Sequence, residues 1–200
     1  MEREENKSKE KRGKAVVNLS IQNKVQRHDL SDMINKAFAE LNIIFFAAAG
    51  NIPSGSKPNA EDSFPCGYTL VNCVGATKDY DKWEGSSHGH KVLFVAPGEW
   101  VKTAWPVDEH DPKKGQTYEI RRGTSFSSPL AAGVAAMFIG HECFITPAQP
   151  YARLEQNGVR GISHGWSKKQ DPKKVFVNTG YWKGGEGDPY YMPKLLGGQC

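Results

Sequence analysis

No run of 18 or more apolar residues occurs anywhere in the 200 residues, so the sequence offers no candidate for a membrane-spanning helix. The opening Met1-Glu2-Arg3-Glu4-Glu5 to Lys14 is mixed in charge and lacks the apolar centre of a signal peptide, so residues 1–14 read as a charged leader. Cellular location stays open. Cysteine is scarce: Cys66, Cys73, Cys143 and Cys200 are too few and too spread for a disulfide-dense scaffold, and they lack zinc-ligand spacing. Cys66 and Cys73 alone lie close together, and buried thiols and one or two disulfides are both compatible with the pattern. A strong charge of one sign is also missing. The net charge is +4, with Lys and Arg interleaved among acids near the N-terminus, which argues against a nucleic-acid partner. No internal repeat is visible.

With 38% hydrophobic and 24% charged residues, the chain suits one domain or most of one. Ala15-Val16-Val17-Asn18-Leu19-Ser20-Ile21 is a short apolar, β-branched run that predicts a buried strand. From Leu30 the apolar Met33, Ile34, Ala37, Phe38 and Leu41 recur at steps of three and four. That spacing predicts an amphipathic helix with Asp29 as its N-cap, Asp32 near its positive end and Asn42 as its stop. Ile43 to Ala49 reads as a second buried strand ending at Gly50-Asn51.

A strand–helix–strand unit of this kind is parallel and right-handed. The strand ends near Ser20–Asn23 and Gly50–Asn51 therefore share one sheet edge, the edge at which open α/β sheets bind ligands. Thr69–Gly75 and Val92–Ala96 predict further strands, giving an α/β fold with a mostly parallel sheet flanked by helices. Residues 126–140 predict a helix with Pro129 in its first turn, so rich in Ala and Gly that it should run through the middle of the domain. Beyond Thr146 the pattern weakens to a short helix at Tyr151–Asn157 and a strand at Val175–Asn178. Residues 151–200 are expected to form a peripheral extension with a disordered, Gly/Pro-rich end.

The sharpest segment is Gly123-Thr124-Ser125-Phe126-Ser127-Ser128-Pro129, which sets a serine at a helix N-terminus. Unpaired N–H groups and the positive end of the helix dipole stabilise an oxyanion beside such a serine, as acyl transfer requires. A serine before a helix is ordinarily no more than a cap, so context must decide.

Residues 123–129 with Gly133 fit the motif G-T-S-x-[AS]-x-P followed by a small-residue helix, and here the chain resembles the subtilisin-like (subtilase) serine proteases. Ala47-Ala48-Ala49-Gly50-Asn51, Val16-Val17-Asn18-Leu19-Ser20 and Val95-Ala96-Pro97-Gly98 match further family segments in the same order, with Val71–Ala76 as a weaker fifth. The resemblance covers residues 15–140, implies a three-layer α/β/α fold, and makes residues 15–150 part of a catalytic domain. It implies that Ser125 is the nucleophile and that the Asn51 amide and the Ser125 N–H hold the oxyanion. Substrate would be peptide or protein, paired as an added strand beside Ser20, Ile21 and Gln22. Ala48, Ala49 and Gly50 would wall the primary specificity pocket, with Thr124 among the substrate-binding residues. No cofactor is implied; calcium is common in the family, but no acidic cluster marks a site.

The departures matter equally. The segment Ser20-Ile21-Gln22-Asn23 lacks the family's glycines, so Gln22 and Asn23 are expected to narrow the cleft. The family's Asp and His precede its nucleophile in D-[ST]-G and H-G-T-H segments, and this chain has only its charged leader in that place. The expectation is a domain without its N-terminal part, with an open apolar sheet edge, dependent on a partner segment and nearly inactive alone; loss of a triad member costs up to about 10⁶-fold in kcat. The alternative reading is a non-catalytic pseudoprotease that holds peptides. Ser87-His88-Gly89-His90 reads as a polar loop, and His28, His110, His141 and His164 carry no mark of a base. Asp79, Asp81 and 108–111 read as solvated turns.

Overall fold

The computed structural model describes residues 15–52, 59–105, 118–142, 146–160, 165–166 and 174–177. Strand β1 (Ala15–Leu19) is followed by helix α1 (His28–Leu41) and strand β2 (Ile43–Ala48). The helix stops at Asn42, whose φ of 55° is the left-handed conformation that Asn tolerates, and the Asn42 N–H closes back on the Ala37 carbonyl. Asp29 is not the N-cap. Arg27 occupies that position without a side-chain cap, and Asp29 lies one residue inside the helix, where it pairs with the Arg27 guanidinium; that pairing holds the Asp29 carboxyl below its ordinary value. Met33 is 67% exposed although it falls on the apolar period, and only Ile34 of that face is fully buried.

Strands β3 (Val71–Lys78), β4 (Asp81–Lys82) and β5 (Val92–Pro97) come next. A hairpin follows, β6 (Val101–Ala104) with β7 (Tyr118–Arg121). Helix α2 (Thr124–Glu142), helix α3 (Ala148–Asn157) and the two-residue strands β8 (Val159–Arg160) and β9 (Val175–Phe176) complete the described elements. The main sheet runs β1-β2-β3-β5-β9-β8, with β4 off β3. The pairs β1–β2, β2–β3, β3–β5 and β5–β9 are parallel. The fold is thus the expected α/β arrangement with a mostly parallel sheet.

Alternation along β2 splits the core in two. Phe45 and Ala47 join Ile34, Val71, Cys73 and Val95 on the α1 face. Ile44 and Phe46 join Val74, Phe94, Ala131, Ala135 and Phe138 on the α2 face. Helices on both faces of one sheet make three layers.

The structure departs from the sequence reading in the second half. Leu154 of α3 and Val175 of β9 are fully buried in the α2-side core, so part of the stretch after residue 150 is built into the sheet instead of lying outside it. The expected disordered end, and Asn178 of the predicted last strand, lie outside the described residues. Helix α2 does pack on β1, β2, β3 and β5, but it does not run through the middle of the described fold. Pro129, Leu130, Gly133, Ala136 and Gly140 form an exposed stripe on its far side.

Cys66 and Cys73 form a disulfide, and both are buried against the α1-side core. Their separation of 7 residues closes a short loop, for which chain entropy gives about 2 kcal/mol of stabilisation. Reduction of the folded chain should therefore lower its stability by about 2 kcal/mol. Denaturant curves with and without dithiothreitol measure this, and coincident curves would refute a bonded pair.

Candidate active site

Parallel pairing brings the C-terminal ends of β1, β2, β3 and β5 to one edge, and the first turn of α2 is fastened to that edge. Three hydroxyls within five positions do the fastening. Thr124 Oγ1 donates to Asn51 Oδ1 at 3.1 Å and accepts from the buried Gly50 N–H at 3.1 Å, tying α2 to the end of β2. Ser127 Oγ donates to the Pro97 carbonyl at 3.1 Å, tying it to β5. Ser128 Oγ donates to Asn18 Oδ1 at 2.7 Å, tying it to β1. Gly123 leads into the turn with a φ of 140°, and a Cβ there would stand 3.3 Å from Asn51 Nδ2, so a side chain would be strained and crowded at this position.

Pro129 explains how Ser125 is held. The helix begins at Thr124, two residues before the sequence reading put it, so Pro129 is its sixth residue rather than part of its first turn. Proline has no N–H to give the carbonyl four residues back, and that carbonyl belongs to Ser125. Ser20 Oγ donates to it instead, at 2.8 Å. Asn18 Nδ2 in turn donates to Ser20 Oγ at 2.9 Å, which completes a chain Ser128–Asn18–Ser20–Ser125. The Ser125 hydroxyl points back along the same path, donating to the Ser20 carbonyl at 3.4 Å.

The Asn51 amide has a defined orientation. The Thr124 N–H can only donate, and it lies 3.0 Å from Asn51 Oδ1, so this oxygen must be the acceptor. With Oδ1 taken by both the N–H and the hydroxyl of Thr124, Asn51 Nδ2 is left as the donor, on an exposed residue at the mouth of the cleft. Ser125 itself is partly buried. On the other side Gly50 and Asn51 are tied down by Ser87 N–H to the Gly50 carbonyl at 2.9 Å and Ile52 N–H to the Gly85 carbonyl at 2.7 Å.

The sequence-predicted residues thus divide clearly. Ser125, Thr124, Asn51, Gly50, Ser20 and Gln22 lie at one edge, linked by hydrogen bonds; Ala48 and Ala49 are buried just behind, and Ile21 is 60% exposed beside them. Asn18, Ser127 and Ser128 were not picked out from sequence, though a polar residue inside a buried β-branched run was a signal for Asn18. Of Ser87-His88-Gly89-His90, only Ser87 touches this edge, through its N–H to Gly50; His88 and His90 belong to a different set of contacts. The Ala60 N–H donates to the His88 carbonyl at 2.7 Å, and the His90 N–H donates to Glu61 Oε1 at 2.9 Å; the latter bond holds the Glu61 carboxyl below its ordinary value. Among the described residues no group of three or more His, Cys, Asp or Glu side chains is placed to share a metal ion, and no helix is long and apolar enough to cross a membrane.

The sequence model of the subtilase family matches residues 2–178. The chain belongs to the subtilase family. Subtilisin-like protease 2 of Trichophyton equinum is 34% identical over 174 residues, which are 84% of this chain and 37% of that protein. Subtilisin DY of Bacillus licheniformis is 31% identical over 143 residues, 71% of this chain and 48% of that protein. The crystal structure of a cold-adapted subtilisin-like serine proteinase superposes with a TM-score of 0.69 at 26% identity, covering 84% of this chain and 55% of the other. The chain therefore spans about a third to a half of the length of these relatives.

The double role of Thr124 generates a stability prediction. Thr124→Val keeps the shape but removes the acceptor of a buried N–H and one donor to Asn51, which should cost about 1–3 kcal/mol in chemical denaturation, whereas Thr124→Ser should cost less than about 1. Equal losses in the two variants would mean that the hydroxyl is not what holds the turn.

Proposed function

We propose that this chain carries the nucleophile and the oxyanion-binding part of a subtilase that hydrolyses peptide bonds through an acyl-enzyme on Ser125. The observation that carries the reading is the Thr124–Asn51 contact. It turns the Asn51 oxygen toward the residue next to Ser125 and leaves the Asn51 NH₂ as a donor at the head of a helix whose first N–H groups have no intrahelical partner. With its proton passed to a base of the family's histidine type, which would have to be supplied from outside the described residues, Ser125 Oγ would attack the carbonyl carbon while the π electrons move to the oxygen, where the Asn51 Nδ2 and Ser125 N–H donors would hold the charge. Re-forming the carbonyl would break the C–N bond, the amine would leave with that proton, and water would then release the acyl group. Because the turn is fixed beforehand, no reorganisation is needed as that charge develops.

The acyl part of the substrate would pair with Ser20–Gln22. Asn23 cannot extend that pairing, since its N–H and carbonyl are both bonded to Phe64 at 2.8 Å.

One observation favours the rival reading, a subtilase-like fold that holds peptides without cleaving them. The Ser125 hydroxyl donates to a main-chain carbonyl of Ser20, not to an imidazole, and in that arrangement it has no base to take its proton.

A fluorophosphonate probe on the full natural product separates the two. Labelling is expected at Ser125, abolished in Ser125→Ala and slowed about 10²- to 10³-fold in Asn51→Ala, the usual cost of one oxyanion donor. Absence of labelling in the native chain would overturn the protease reading and leave the peptide-holding one.

A further inference from the structure

The gap between the end of β1 and the end of β2 is not open: a single side chain crosses it. Gln22 starts on the segment after β1, and its Oε1 accepts from the Asn51 N–H at 3.3 Å on the segment after β2. Its amide also lies against Gly50. A Cβ built on Gly50 would come within 2.6 Å of Gln22 Nε2, 2.7 Å of Cδ and 2.9 Å of Oε1, so the amide occupies the space that any side chain at residue 50 would take. Gly50 has a φ of 101°, a backbone conformation that favours glycine whatever the space around it.

We propose that Gln22 is a specificity-determining residue that restricts the amino acid on the acyl side of the attacked bond to a small one, Gly, Ala or Ser. This inference rests on the peptide-binding reading of the Ser125 edge given above. A peptide paired with Ser20–Gln22, with a carbonyl at Ser125 and Asn51, has the side chain next to that carbonyl directed between the two strand ends. Gln22 is already there. A methyl group fits beside the amide, whereas a ring must displace it, breaking the bond to the Asn51 N–H and uncovering Gly50. The Gln22 side chain is exposed and tethered by one hydrogen bond, so displacement is possible at a cost, and the discrimination should be about tenfold rather than absolute.

The test uses the full chain and two product-like probes, fluorescein-labelled Ala-Ala-Ala-Ala and Ala-Ala-Ala-Phe with free C-terminal carboxylates, titrated by fluorescence anisotropy. The native protein should bind the Ala-ended peptide about tenfold more tightly than the Phe-ended one. Gln22→Gly should bring the Phe-ended peptide to equal or tighter binding while leaving the Ala-ended one within about twofold. Gln22→Ala, which has less backbone freedom, should behave likewise, and thermal melts of both variants check that the fold persists. Equal binding of the two peptides by the native protein, or an unchanged ratio in both variants, overturns the role of Gln22 while leaving the peptide-binding reading intact, provided that Asn51→Ala weakens both peptides. Failure of both peptides to bind the native protein overturns the peptide-binding reading and the role of Gln22 together.

Discussion

The arrangement depends on how the first turn of one helix is bonded to the edge of the sheet. Thr124, Ser127 and Ser128 are fully buried, and a buried hydroxyl is favoured when it has a partner. Their partners lie on three different strands: Asn51 and Gly50 after β2, Pro97 at the end of β5, and Asn18 in β1. The helix start therefore cannot shift along any one strand without unpairing groups on the others. This accounts for a segment so rich in hydroxyls at a position with little solvent. The residues are polar because they form a joint, and Ser125, in the middle of the joint, has its backbone fixed by its neighbours.

Pro129 belongs to the same constraint. Within a helix it would ordinarily leave a carbonyl without a partner, at a cost. Here the released carbonyl is that of Ser125, and Ser20, just beyond the end of β1 and 105 residues earlier in the chain, supplies the missing donor. A local defect in the helix thus becomes a long-range bond between Ser125 and the edge of the sheet. The Ser20 carbonyl receives the Ser125 hydroxyl, so the side chain and the carbonyl of Ser125 both bond to one residue.

What could be read in the sequence follows from what each signal measures. β1, α1 and β2 were legible because their periodicities reflect one-sided or full burial, which β2 shows strongly. The β6–β7 hairpin was not, because its strands alternate between half-buried and exposed positions and carry no dense apolar run. β8 was missed because two residues are too few to show a period, whereas β9 was read from its apolar start at Val175, with an end at Asn178 that lies outside the described residues. The start of α3 at Ala148 was read as Tyr151; Pro150 lies within the first turn, where proline is tolerated. At the site, Ser125 and Asn51 were legible through local motifs. The orientation of the Asn51 amide was not, because it is set by the Thr124 N–H, 73 residues away in sequence. The loss of glycine at Gln22 was visible; its contact with Gly50 required the fold.

The two halves of acyl-transfer chemistry make different demands on a structure, and this chain meets them unequally. Stabilising an oxyanion needs donors fixed in advance, and fixed donors follow from the joint between α2 and the sheet, whose bonds all lie within the described residues. Activating the serine needs a base whose pKa and position match the proton it takes, and among the described residues the Ser125 hydroxyl meets the Ser20 carbonyl, which cannot take one. Fixed donors alone give a modest rate enhancement, about 10³- to 10⁴-fold over water in serine proteases stripped of their triads. They also favour any ligand that places a negatively charged or strongly polar oxygen at the same point, which includes the carboxylate of a cleaved peptide as well as a tetrahedral intermediate. On the proposed reading, a subtilase cleft without an engaged base would hold peptide termini, and what it selects would be decided by the side chains that border it.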